Sequence, residues 1–120
     1  MVDPHLNRDS LLALQEIMEA EYPMLLDTFL ADAEERLSLL RGTRDAVQLM
    51  ETAHSFKGSS SNMGADRLAG LCSELEQRAK SAKPADIEKL VDEIDSEFAL
   101  VRPLYEAERS LAASRTPPSA

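Results

Sequence analysis

The sequence predicts an all-α protein: an antiparallel four-helix bundle with an additional short N-terminal helix. Three observations carry this. Apolar residues recur at i, i+3, i+4 and i+7 along most of the chain, the spacing that lines one side of a helix. Only 4 of the 120 residues are glycine, and the helix formers Leu, Ala and Glu are abundant. No stretch alternates apolar and polar residues as a half-buried strand does. With 43% hydrophobic residues, a chain this long suits one core and one domain.

Asp9 or Ser10 caps the first helix, whose apolar positions are Leu11, Leu14, Ile17 and Met18. Pro23 fits the first turn of the second, where no backbone N–H is needed. Its stripe is Leu26, Phe29, Leu30, Ala33, Leu37 and Leu40, and Gly42 stops it. A third helix starts near Arg44 and buries Ala46, Leu49, Ala53 and Phe56. The run Gly58-Ser59-Ser60-Ser61-Asn62 is poor in helix formers, so Gly58 lies inside this helix or caps its end. Asp66 opens a fourth helix with the stripe Leu68, Leu71, Cys72, Leu75 and Ala79. Pro84 and Asp86 open the fifth, lined by Ile87, Leu90, Val91, Ile94, Phe98 and Val101, and Pro103 kinks or ends it. Four long helices with short connections make an antiparallel bundle, and the first helix lies across one end or side. Residues 1–7 are expected to be a flexible N-terminus, 8–111 the bundle domain, and 112–120 a flexible tail of small, polar and Pro residues.

The formal net charge is −9. Such a chain repels nucleic acid and anionic membrane, which attract basic patches. No apolar run approaches the roughly 20 residues that cross a bilayer, and the N-terminus lacks the pattern of a signal peptide. Cys72 stands alone, so no disulfide framework or zinc cluster is expected. Glu34-Glu35 and Asp92-Glu93 lack the loop geometry of a calcium site, and no metal or cofactor site is expected. A cytoplasmic, reduced setting fits these features.

His54 is the informative residue. At about 100° per residue, it sits about 130° from the centre of the third helix's apolar stripe, and so faces water. Lys57, one turn on, shares its side; Gly58 flanks it without side-chain bulk, and Ser61 is two turns on. A neutral imidazole is a good nucleophile near pH 7, with an unperturbed pKa of about 6.5. A phosphoryl group on that ring adds negative charge, which the Lys57 ammonium stabilises. A glycine inside a helix costs about 1 kcal/mol relative to alanine. That makes sense if another protein must approach beside the ring. Ser59, Ser60 and Ser61 extend a low-relief surface with hydroxyl donors. Val47 and Met50 fall within about 40° of His54 on the wheel, and with Gly58 and Ser61 they form the expected partner-docking patch.

The run His54-Ser55-Phe56-Lys57-Gly58-Ser59-Ser60-Ser61-Asn62-Met63-Gly64-Ala65 resembles the signature of histidine phosphotransfer (HPt) domains. The His, the apolar residue, the Lys, both glycines and the small residues match it. The resemblance in length and helix pattern covers about residues 8–110. It implies a stand-alone bacterial HPt protein of a multistep two-component phosphorelay, without its own kinase activity. It implies that His54 accepts a phosphoryl group from a receiver-domain Asp and passes it to a response regulator Asp. Lys57 supports the phosphohistidine and Gly58 leaves room for the receiver. The implied partners are receiver domains of hybrid sensor histidine kinases and a response regulator. Mg²⁺ belongs to the receiver, and a monomer suffices. In some members a Gln on the next helix hydrogen-bonds the His ring; by spacing that position is Glu76, with Gln77 beside it. A carboxylate touching the ring repels phosphate, so neither residue is taken as part of the site. The competing reading is a helical adaptor that binds a signalling partner and does no chemistry. A hydrolase is disfavoured, for there is no second His near His54, no phosphate loop and no nucleophile motif.

Overall fold

The computed structural model describes residues 5–115. Five α-helices follow one another: α1 (Arg8–Met18), α2 (Tyr22–Gly42), α3 (Ala46–Asn62), α4 (Asp66–Arg78) and α5 (Pro84–Arg115), with a 3₁₀ turn Glu19–Glu21 between α1 and α2. No strand occurs among the described residues. Helix α2 packs on α3 and α5, and α4 packs on the same two, so α2 to α5 close a four-helix bundle. The most extensive contact is α3 with α4, joined by a short corner.

The core follows the apolar stripes. Leu26, Leu37, Leu40, Leu49, Phe56, Leu68, Leu75 and Ile94 are buried, with Phe29 and Tyr105 in a tilted aromatic contact at 5.0 Å. Such a pair adds about 1 kcal/mol to the area it buries. Cys72 is a core residue, and burial pushes its thiol up to about 12. Arg41–Asp95, Arg102–Glu34 and Arg109–Asp27 tie α2 to α5 along their exposed seam. Exposed pairs of this kind contribute about 0–1 kcal/mol each, and they favour one register more than they add stability.

Several expectations are corrected. The cap of α1 is Asn7, whose side chain accepts the N–H of Ser10 at 3.1 Å, not Asp9 or Ser10. Ile17 is 76% exposed, because it lies about 90° off the Leu11–Met18 line of a helix that then breaks at Glu19 (φ 49°). Residues 5–7 are not loose: Leu6 is buried and the Asn7 N–H donates to the Gly64 carbonyl at 2.7 Å. Helix α5 does not end at Pro103. Pro103 and Ala99, the residue whose carbonyl loses its N–H partner, are both exposed, so water can serve that carbonyl. Beyond it, Tyr105 is buried and donates to the Met63 carbonyl at 2.6 Å, and Ala112 is buried too. The tail expected from 112 is therefore helical up to Arg115; residues 1–4 and 116–120 lie outside the described residues.

Helix α3 runs through Gly58 to Asn62, so Gly58 is interior and not a cap. It stops in a Schellman turn, in which the Ala65 N–H bonds the Ser60 carbonyl (2.8 Å) and the Gly64 N–H bonds the Ser61 carbonyl (3.1 Å). Gly64 has φ 79°, and a Cβ built there lies 2.7 Å from the Asn7 carbonyl oxygen. The serine run does not form one surface. Ser60 falls on the Ala53–Phe56 side and is buried, Ser59 bonds the Phe56 carbonyl, and only Ser61 is exposed.

Candidate functional site

Helix α3 turns Leu49, Ala53, Phe56 and Ser60 inward, which fixes its rotation. That rotation leaves the His54 side chain 66% exposed on the opposite side, as its position on the wheel predicts. Helix α4 turns Leu68, Cys72 and Leu75 inward, and this aims Glu76 at the neighbouring face of α3. Glu76 Oε2 lies 2.7 Å from His54 Nδ1, and Glu76 Oε1 accepts from Lys57 Nζ at 2.8 Å. The Lys57 ammonium, and after it the His54 ring, hold the Glu76 carboxyl below its ordinary value, against an opposing push from burial.

The geometry decides what the ring can do. An ionised carboxylate only accepts, so a neutral His54 facing Glu76 carries its proton on Nδ1. The lone pair is then on Nε2, at the far side of the ring. The concern that a carboxylate here repels phosphate is met by position and by charge. Glu76 sits against Nδ1, away from Nε2, and Lys57 already offsets its charge. Glu76 therefore joins His54 and Lys57 in the candidate site, a contact that its spacing suggests and the packing of α4 on α3 makes. Gln77 is exposed, and its side-chain amide donates to Ser73 Oγ on the same helix at 3.5 Å.

The other predicted site residues fall around this cluster. Lys57 is one turn from His54 but engaged with Glu76 rather than standing free. Gly58 is exposed, and a Cβ there meets nothing within 4 Å. Val47 is 51% exposed and Ser61 is exposed. Met50 is half-buried and packs partly on the core, so it presents less surface than its wheel position suggests. On the flank toward α2, Arg36 Nε donates to Ser55 Oγ at 3.1 Å. Beyond it a shallow hollow is lined by Leu39, Gln48, Glu51 and Thr52, with Leu39 itself exposed. Among the described residues no group of three or more His, Cys, Asp or Glu is placed to hold a metal ion, and no helix is long and apolar enough to cross a membrane.

An exposed imidazole held from behind at Nδ1 on a helical bundle is a nucleophile that another protein can reach. The Hpt domain family model matches residues 24–102. The chain belongs to the Hpt domain family. It is 37% identical over 79 residues to the phosphorelay protein LuxU of Vibrio cholerae, covering 63% of this chain and 70% of that protein. It is 32% identical over 85 residues to LuxU of Vibrio vulnificus, covering 68% and 74%. Among solved structures it matches histidine-containing phosphotransfer protein B (HptB) from Pseudomonas aeruginosa PAO1 with a TM-score of 0.85 and 51% identity, over 89% of this chain and 96% of that one. The chain is a phosphotransfer protein of the two-component phosphorelay class.

Proposed function

We propose that His54 is the residue on which this protein carries its phosphoryl group, with Nε2 as the bonding atom. The Nε2 lone pair attacks the phosphorus of a receiver-domain aspartyl phosphate. The N–P bond forms as the acyl P–O bond breaks, and the electron pair leaves with the receiver carboxylate. The ring keeps its Nδ1 proton and becomes cationic, facing the Glu76 carboxylate. Handing the group to a response regulator reverses these events, and the ring leaves as a neutral imidazole. The observation that carries the reading is an exposed ring tied at Nδ1 by Glu76, which leaves Nε2 free.

Lys57 supplies positive charge beside the phosphoryl group. Val47, Gly58, Ser61 and the exposed edge of Met50 form the surface on which a receiver rests, and Leu39 extends it. Mg²⁺ acts on the receiver, and this chain contributes no metal ligand or cofactor. It has no kinase activity of its own, works as a monomer in the cytoplasm, and meets receiver domains of hybrid sensor histidine kinases and a response regulator.

The test mixes the protein with a phosphorylated receiver and Mg²⁺. Acid-labile, base-stable label is expected on the wild type and is absent in His54→Gln; ATP alone labels neither. Label retained in His54→Gln would sink the proposal. In the same assay Val47→Glu slows transfer about tenfold, the scale of a disrupted apolar contact at an interface, and leaves the melting temperature unchanged.

A further inference from the structure

Both oxygens of Glu76 are committed, Oε2 to the His54 ring and Oε1 to the Lys57 ammonium. Lys57 reaches from α3 across to α4 to make this bond, and its side chain is only 35% exposed, while that of Glu76 is 23% exposed. The single cation nearest His54 on its own helix is therefore already facing an anion. A phosphoryl group arriving on Nε2 brings about 1.5 to 2 negative charges at pH 7. It needs the same ammonium.

We propose that Glu76 competes with the phosphoryl group for Lys57, and so keeps phosphorylated His54 unstable enough to hand its group onward. The inference rests on the reading of His54 as the phosphorylated residue. An ammonium has three donors and no acceptor, so it can bridge two anions, but only by sharing its charge between them. With the carboxylate present, the phosphoryl group receives part of that charge. With a neutral amide at the same place, the cationic ring keeps an oxygen acceptor at Nδ1 but loses the facing charge, whereas Lys57 has one anion to serve instead of two. The ring side chain is 66% exposed and that of Lys57 only 35%, so water screens the loss at the ring more than the gain at Lys57. A carrier must load from one aspartate and unload to another. Withholding part of the stabilisation from the loaded state keeps the exchange near balance in both directions. Glu76 acts through Lys57 and is a positioning residue, not a catalytic one.

The test is a double-mutant cycle on the transfer equilibrium. Each protein is equilibrated with the same phosphorylated receiver domain and Mg²⁺, and the ratio of labelled carrier to labelled receiver is measured. Glu76→Gln is expected to raise that ratio about fivefold, a fraction of one charge-assisted hydrogen bond, since Lys57 shares its charge and is not lost in the wild type. Lys57→Met lowers it. In the Lys57→Met background, Glu76→Gln changes the ratio by less than about twofold, the residual expected once a shared partner is gone. Ring ¹⁵N shifts of Glu76→Gln keep the proton on Nδ1. A ratio unchanged or lowered by Glu76→Gln overturns the proposal. So does an increase that survives without Lys57, or a ring proton moved to Nε2. His54→Gln in the same assay keeps the two claims apart: its label must vanish, and label that persists overturns the phosphohistidine reading itself.

Discussion

Two glycines bracket the C-terminal end of α3. Around Gly64 the chain has a positive φ, a Schellman turn, and the Asn7 backbone pressed so near that a Cβ would lie 2.7 Å from its carbonyl oxygen. Around Gly58 the backbone is ordinary helix, and a Cβ would meet nothing within 4 Å. Glycine at 64 answers to the fold, since the corner fixes how α3 and α4 meet and where the N-terminal segment docks. Glycine at 58 answers to nothing inside the molecule, and the helix gives up stability there. Identical residues in one short segment thus differ: packing demands the one at 64, nothing inside the molecule demands the one at 58, and the docking surface proposed beside His54 supplies a reason for the second.

The sharpest way to break this contrast is Gly64→Ala. It forces a side chain into the left-handed region and against the Asn7 carbonyl, so stability should fall by about 2–3 kcal/mol in a urea titration. A loss under about 0.5 kcal/mol would mean that the corner yields and that packing does not demand the glycine. Next in size is Gly58→Leu, which should slow transfer from a phosphorylated receiver about tenfold by crowding the approach to His54 with no loss of stability. Transfer at the wild-type rate would remove the docking role of this surface. Gly58→Ala sharpens the point, because it should raise stability by about 0.5–1 kcal/mol through helix propensity. The smallest effect concerns acid. The Glu76 carboxyl is held low in the folded protein, so on acidification the unfolded chain takes up this proton first. The group's contribution is therefore full above the ordinary carboxylate range and fades as pH falls through its lowered folded value. Wild type and Glu76→Gln should accordingly converge in urea midpoint toward low pH; a gap that widens there would reverse the sign.

Much of the bundle was legible because a helix that packs on one side writes its rotation into the sequence. The stripes of α2, α4 and α5 needed little correction, and the outward placement of His54 follows from the inward placement of Ala53 and Phe56. What was less legible involved contacts between residues distant in sequence. Asn7 displaced Asp9 and Ser10 as the cap because Gly64 and Asp66 hold it in place. Helix α5 passed Pro103 because Tyr105 is anchored on Phe29 and Met63. Ser60 went inward although its composition reads as loop.

The amino-acid order by itself determined that the chain is helical, which side of each helix is buried, and that one histidine with a lysine a turn away faces water. These follow from local periodicity, which needs only neighbours within two turns. Only the tertiary structure decided that Glu76 holds both of those residues. That carboxylate comes from another helix, and whether it meets the ring depends on how two helices rotate and slide against each other, a matter of packed side chains that no spacing along one helix encodes.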